Sequence, residues 1–84
     1  MSTPDLSRRV PLTVPQMGVV EEVVVIEWLV DPGAAVAQGE EVVIVETEKA
    51  EVVLESPAAG AIEIVAGASD DEVPVGATLA YIDP

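Results

Sequence analysis

Lys49 is the only lysine in the chain, and Glu46, Glu48 and Glu51 all lie within three residues of it. With no cysteine and no histidine anywhere in the sequence, its primary amine is the one side chain suited to covalent chemistry at nitrogen. The carboxylates around it favour the charged ammonium, which is not nucleophilic. An enzyme that acylates this amine must therefore remove the proton within its own site. Once an amide forms, the charge is gone and the side chain becomes a long, flexible tether. The alternative is plain: a lysine among glutamates also reads as a solvated surface residue, contributing a fraction of a kcal/mol in ion pairs.

The wider composition narrows the classes. Sixteen acids against three bases (Arg8, Arg9 and Lys49) give a net charge of −13. That balance repels phosphate backbones and anionic lipid, so nucleic acid and membrane surfaces are poor partners. Absence of cysteine removes disulfides, thiol catalysis and thiolate metal sites. Absence of histidine removes the commonest general base and metal ligand. The longest apolar runs, such as Val23–Ile26 and Val42–Val45, are far short of the roughly 20 residues of a membrane span. Residues 1–9 lack the apolar segment of a secretory signal. They read as a disordered N-terminal tail ahead of one domain over 10–84, in a cytoplasmic protein or, in a eukaryote, one of the mitochondrial matrix.

The elements that must position Lys49 are legible around it. Seventeen valines and five isoleucines favour sheet, because β-branched side chains pack well on a pleated surface. Residues 42–55 read Val-Val-Ile-Val-Glu-Thr-Glu-Lys-Ala-Glu-Val-Val-Leu-Glu, nearly mirror-symmetric about the Glu48–Lys49 bond. Glu46 then faces Glu51, Val45 faces Val52, Ile44 faces Val53 and Val43 faces Leu54. Two apolar strands flank a polar tip, as in a β-hairpin with Lys49 at its apex. Glu-Thr-Glu-Lys-Ala-Glu also contains good helix formers, but six residues between β-branched runs are too few to nucleate a helix. Glu-Lys is not a pair suited to a primed two-residue turn, so a four-residue loop around a type I turn is expected.

Along the rest of the chain, Val10–Val14 reads as an edge strand limited by Pro11 and Pro15. Val19–Val30 reads as one extended stretch opened by Gly18. Asp31-Pro32-Gly33 and Gly39 are turn signals around a short strand at Val36. Val52–Leu54, Ala61–Val65, Val73–Val75 and Thr78–Ile82 complete about eight short strands, the pattern of a sandwich or barrel. Asp70-Asp71-Glu72 reads as a solvated loop, and Trp28 as a packing residue. Gly18-Val-Val-Glu-Glu-Val resembles Gly60-Ala-Ile-Glu-Ile-Val, and paired glycines precede Val42–Val45 and Thr78–Ile82. These matches suggest two similar halves.

Val45-Glu46-Thr47-Glu48-Lys49-Ala50 resembles the modification motif of the lipoyl domains of 2-oxo acid dehydrogenase complexes, members of the biotinyl/lipoyl carrier family. Gly33 and Gly39 upstream, Ser56-Pro57-Ala58-Ala59-Gly60 downstream and Val75-Gly76 before the last strand support it. The resemblance runs from about Val10 to Asp83. It implies an all-β fold: a flattened β-barrel, or sandwich, of two four-stranded antiparallel sheets with quasi-two-fold symmetry. Lys49 would carry covalent lipoic acid at the hairpin tip. Glu46, Thr47, Glu48, Ala50 and Glu51 would form a recognition face around it, although solubility and protection of sheet edges also account for the acids. The family commonly has Asp before the lysine, where this chain has Glu48. Relatives that carry biotin typically have Met on both sides, where this chain has Glu48 and Ala50.

The same resemblance implies the partners. A lipoate ligase or lipoyl synthase system would modify Lys49. A thiamine-dependent decarboxylase would load the arm, an acyltransferase core would unload it, and a dihydrolipoyl dehydrogenase would reoxidise it. The domain would be a monomeric carrier without catalytic residues or metal of its own, either part of a dihydrolipoamide acyltransferase or standing alone. The alternatives are a biotinyl carrier domain of a carboxylase and an unmodified interaction module whose lysine is merely exposed.

Overall fold

The computed structural model describes residues 9–84. The chain forms eight strands: β1 (Val10–Thr13), β2 (Glu22–Trp28), β3 (Ala35–Val36), β4 (Glu41–Glu46), β5 (Glu51–Glu55), β6 (Gly60–Ile64), β7 (Glu72–Pro74) and β8 (Thr78–Asp83). They make two four-stranded antiparallel sheets, ordered β1-β8-β6-β3 and β5-β4-β2-β7. Adding four to each label of the first sheet, counted cyclically through eight, yields the second. This is the two-fold relation expected from the sequence. The edge strands β1 and β7 carry Pro11 and Pro74, where a missing N–H is tolerated.

Alternate residues of each sheet face inward onto one core, built from small β-branched and aliphatic side chains. Val14, Val23, Val25, Val45, Ile62 and Ile82 are among its buried members. Val42 and Val43 are both fully buried although adjacent, which strict alternation forbids. The pairing explains it: Glu41 faces Glu55 and Val43 faces Leu54, so Val42 occupies a β-bulge. Leu79 and Ala80 repeat the feature, because Leu12 faces Ala80 and Thr13 faces Thr78.

Register also defines the repeat. Val25 faces Val45 and Ile62 faces Ile82, so the same pair recurs after a step of 37 residues. Gly39 and Gly76 obey that step. The match of Gly18 with Gly60 does not, being 42 residues apart. Between β1 and β5 the step is 42, since Leu12 faces Ala80 as Leu54 faces Val43. The first half thus carries five more residues than the second between its first two strands, the difference between steps of 42 and 37. The extra length forms a loop over residues 14–21.

That loop corrects the expected continuous strand over Val19–Val30. The strand begins at Glu22, and Met17 and Val20 instead bridge a tight turn around Gly18 (φ 66°) and Val19. Trp28 packs as expected. It is half-buried against the core, and its indole N–H donates to the carbonyl of Ala66 at 2.8 Å.

The expected tail, residues 1–9, lies outside the described residues except for Arg9. The Arg9 guanidinium pairs with Glu63 and lies 4.4 Å from the centroid of the Tyr81 ring. Glu63 and Tyr81 face each other across β6 and β8, so one cation bridges two strands just before β1 begins. The described body therefore holds two cationic side chains, Arg9 and Lys49. Arg9→Ala is expected to destabilise the domain by about 1 kcal/mol, through loss of the stacking and the ion pair. Urea denaturation measures this, and Arg9→Lys should recover part of the loss.

Candidate functional site

The hairpin of β4 and β5 has the register read from its mirror symmetry. Val43 pairs with Leu54, Ile44 with Val53, Val45 with Val52 and Glu46 with Glu51. Inward-facing Val43, Val45 and Leu54 are buried and anchor the hairpin in the core. Outward-facing Ile44 and Val53 stiffen it across the strand pair.

Thr47 closes the tip. Its amide donates to the Ala50 carbonyl at 2.8 Å, and its hydroxyl donates to the same oxygen at 3.0 Å. The hydroxyl oxygen in turn accepts from the amides of Lys49 (3.2 Å) and Ala50 (3.1 Å). No described residue other than glycine has positive φ, so primed turns, which need it, do not occur here. The side chain of Thr47 thus offers local acceptance to the amides of the tip. Replacing it with valine should accelerate amide hydrogen exchange at Ala50 and cost at most about 1 kcal/mol of stability. Exchange followed by NMR checks this, with Thr47→Ser retaining protection.

Of the residues singled out in the sequence, Glu46, Glu48, Lys49, Ala50 and Glu51 are exposed and Thr47 is half-buried. All six meet at one end of one hairpin. Among the described residues Lys49 forms no ion pair, so its amine is not tied down by the acids beside it. Ala50 leaves one flank of the amine sterically open. An acylating enzyme can approach, and an attached group of moderate size meets no wall at the apex. Such a tip accommodates either a lipoyl or a biotinyl group in amide linkage. Among the described residues no cluster of carboxylates has the arrangement of a metal site.

The structure adds a feature that was not among the candidates. A groove of about 500 Å³ runs beside the tip. Val19, Val20 and Val24 supply apolar wall, while Thr47 and Glu48 close it on the hairpin side. Pairing of Val24 with both Glu46 and Glu72 brings the start of β2, the tip and the start of β7 together. Asp70 and Glu72, read as part of a solvated loop, line its far side. The Glu72 carboxylate, by hydrogen bonding and repulsion, raises the carboxyl of Glu22 above its ordinary range. A raised folded-state value means that this pair favours folding at low pH. The contribution is lost as pH rises from the usual carboxylate range through the raised value. The five-residue excess between β1 and β2 is the sequence signal for the groove, but it appears only once strand register is known.

Comparison with known proteins agrees with this geometry. Residues 10–82 match the family model described as biotin-requiring enzyme, in the biotin/lipoyl class. Over 73 residues the chain is 38% identical to the dihydrolipoyllysine-residue acetyltransferase component of the pyruvate dehydrogenase complex from Mycobacterium bovis. The protein of the same name from Mycobacterium tuberculosis matches to the same extent. Each match covers 86% of this chain and 13% of the relative, so the chain spans about an eighth of the length of these proteins. The family match runs from the start of β1 into β8 and includes the hairpin that carries the lone lysine, and the chain belongs to the biotinyl/lipoyl attachment domain family.

Proposed function

We propose that this chain is a lipoyl carrier domain. In this reading, covalently bound lipoic acid on Lys49 shuttles acyl groups and electrons between the active sites of a 2-oxo acid dehydrogenase complex. The domain would belong to its dihydrolipoamide acyltransferase component. The observation that carries this reading is the position of the only lysine. It stands at the exposed apex of a hairpin whose register is pinned by buried valines.

Lipoic acid supplies a disulfide able to take up electrons and an acyl group. The residues of the chain present it. Lys49 provides the amide nitrogen and four methylenes of reach. Thr47 holds the turn, so the arm leaves the domain in a defined direction. Buried pairs of β4 and β5 keep the apex from slipping along the hairpin. Tethering raises the concentration of the arm at each partner site to the order of millimolar. Glu46, Glu48 and Glu51 offer a charged face that basic side chains of the modifying ligase or of the decarboxylase can read. The acyltransferase and the dihydrolipoyl dehydrogenase would take up the arm in turn, and none of these steps asks for an acid or base from this chain.

Glu48 and Ala50 beside the lysine, and the names of the mycobacterial relatives, favour lipoyl over biotinyl cargo. Intact-mass analysis decides between them after coexpression with a lipoate ligase and, separately, with a biotin ligase. A lipoyl adduct, complete and confined to Lys49, is the expected result. A biotinyl adduct in its place transfers the domain to a carboxylase. An unchanged mass with both competent ligases leaves the reading of an unmodified interaction module.

A further inference from the structure

We propose that the outer face of the sheet β5-β4-β2-β7 is a docking surface for a cationic amphipathic helix of a partner protein. The face lies on the flank of the lysine hairpin, and the inference does not depend on which group Lys49 carries.

A stripe of apolar side chains crosses the middle of this face. Val53 pairs with Ile44, and both point away from buried Val43, Val45 and Leu54. On β2 a bulge sets Ile26 and Glu27 together opposite Ile44. Val53 is 41% and Ile26 38% exposed, with half-buried Ile44 between them. Acids border the stripe on both sides. Glu46 faces Glu51 on the side of the tip, and Glu41 faces Glu55 on the other. All four are exposed. Like charges directly opposite one another across a strand pair are destabilising. The free domain thus carries two such repulsions on one hairpin, and among the described residues no cation pairs with any of the four.

The other sheet shows what complements such a row. By the steps of 37 and 42 residues, Val53, Ile44 and Ile26 correspond to Pro11, Tyr81 and Glu63, which pair in the same order. There the Arg9 guanidinium lies over the Tyr81 ring and pairs with Glu63, and the Arg9 side chain is only 18% exposed. Glu41 and Glu55 correspond to Thr78 and Thr13, which face each other without charge. The counterpart of Arg9 itself is Glu51. One sheet therefore brings its own cation to its outer face. The other has an acid in that place and leaves its apolar row open, so the complement it lacks is cationic with an apolar side.

The spacing selects a helix. From Val53 to Ile26 the stripe spans two strand separations, about 10 Å. Helix positions i and i+7 are separated by about 10.5 Å. A helix with apolar residues at i, i+4 and i+7 can therefore lie across β5, β4 and β2 with one contact on each. Glu51 and Glu55 lie two residues from Val53, about 7 Å to either side, within reach of lysine or arginine on the flanks of the helix. A second copy of this chain would set acids against acids, and the same charge repels anionic lipid and nucleic acid. A helix about 10 Å across and centred on the stripe stops short of Lys49, three residues beyond Glu46. A partner can thus hold the domain by its flank with the apex uncovered. A contact of one helix belongs to the weak, transient class of interfaces.

Methyl NMR of the unmodified whole chain tests the inference. The probe is a synthetic helical peptide with leucine at i, i+4 and i+7 and lysine on both flanks, titrated at physiological ionic strength. The signals of Ile26, Ile44 and Val53 are expected to shift, while those of exposed Val19 and Val65 stay in place. A peptide of the same charge with serine for leucine should bind roughly tenfold more weakly, as should the Val53→Ser variant with the original peptide. Glu55→Lys should raise the urea midpoint, by relieving its repulsion with Glu41, and yet weaken the peptide roughly tenfold. That opposition of stability and binding is not expected of an acid that serves the fold alone. Equal affinity for the two peptides reduces the contact to unspecific charge attraction and overturns the proposal. Absence of shifts at saturating peptide, or shifts centred on Val19 instead, also overturns it. Signals of Ile26, Ile44 and Val53 that move with protein concentration alone assign the face to a second copy, against the proposal.

Discussion

Lys49→Arg is expected to abolish lipoyl attachment completely while leaving the fold unchanged. Arginine keeps the positive charge and the long stem, so the electrostatics and solvation of the tip are retained. Its guanidinium stays protonated at any workable pH and offers no nucleophilic nitrogen. The chain then contains no lysine at all, so no second side-chain amine can substitute. An exposed tip residue without an ion pair among the described residues contributes little to stability, and the change should lie within about 0.5 kcal/mol of the parent. Two measurements on the same preparation check this: intact mass after exposure to ligase, and a urea denaturation curve. An adduct on the arginine variant places the modification elsewhere. A large loss of stability makes Lys49 a structural residue and weakens the carrier reading.

The largest stability effect is expected at Gly60, the first residue of β6. Its φ of 155° is a region that L side chains rarely adopt, and a Cβ built there lies 2.4 Å from the backbone oxygen of Asp83. The same atom would lie 2.7 Å from the Asp83 carbonyl carbon and 2.8 Å from the Cα of Pro84. All three are backbone atoms, which cannot turn aside as a side-chain end can. Gly60 is also held on its other flank by its pairing with Val36. Relief therefore requires separating the end of β8 from β6, with loss of the pairing of Ala61 with Asp83. Gly60→Ala should cost about 2–4 kcal/mol, from conformational strain and the steric overlap together. For a domain of this size that corresponds to a fall of roughly 10 °C or more in Tm. Gly39→Ala is the matched control: φ is 85° but nothing lies within 4 Å of the added carbon. Its cost should be about 1 kcal/mol, from backbone conformation alone. Calorimetry of the two variants separates the contributions, and equal costs remove close approach as the special feature of Gly60.

Legibility of the fold in the sequence varied with how local its cause is. The hairpin could be read because apolar residues alternate symmetrically about Glu48–Lys49, and slipping by one residue would turn Val43 and Val45 out to solvent. Eight strands could be counted because turn residues separate short β-branched runs. The bulge at Val42 could not be read, since a run of four apolar residues looks the same with or without one. Only the inner face of the opposite sheet decides that both Val42 and Val43 are buried. The register of the repeat is hidden for a related reason. The match of Gly18 with Gly60 suggests a step of 42 residues for the second strand of each half, whereas the pairing of Val25 with Val45 and of Ile62 with Ile82 makes it 37.

The position of the lysine is a property of the sequence by itself. A single amine lies at the symmetric centre of two apolar strands, and burying those strands leaves it no place but the exposed apex. That follows from period-two alternation and from the short range of a hairpin, both local. What surrounds the amine is decided by tertiary structure. The loop over residues 14–21 lies far from Lys49 in the chain. It comes beside the tip only because Val24 pairs with Glu46 on one side and Glu72 on the other. Antiparallel pairing converts that register into proximity, and the groove exists because three segments distant in sequence end at the same edge of one sheet.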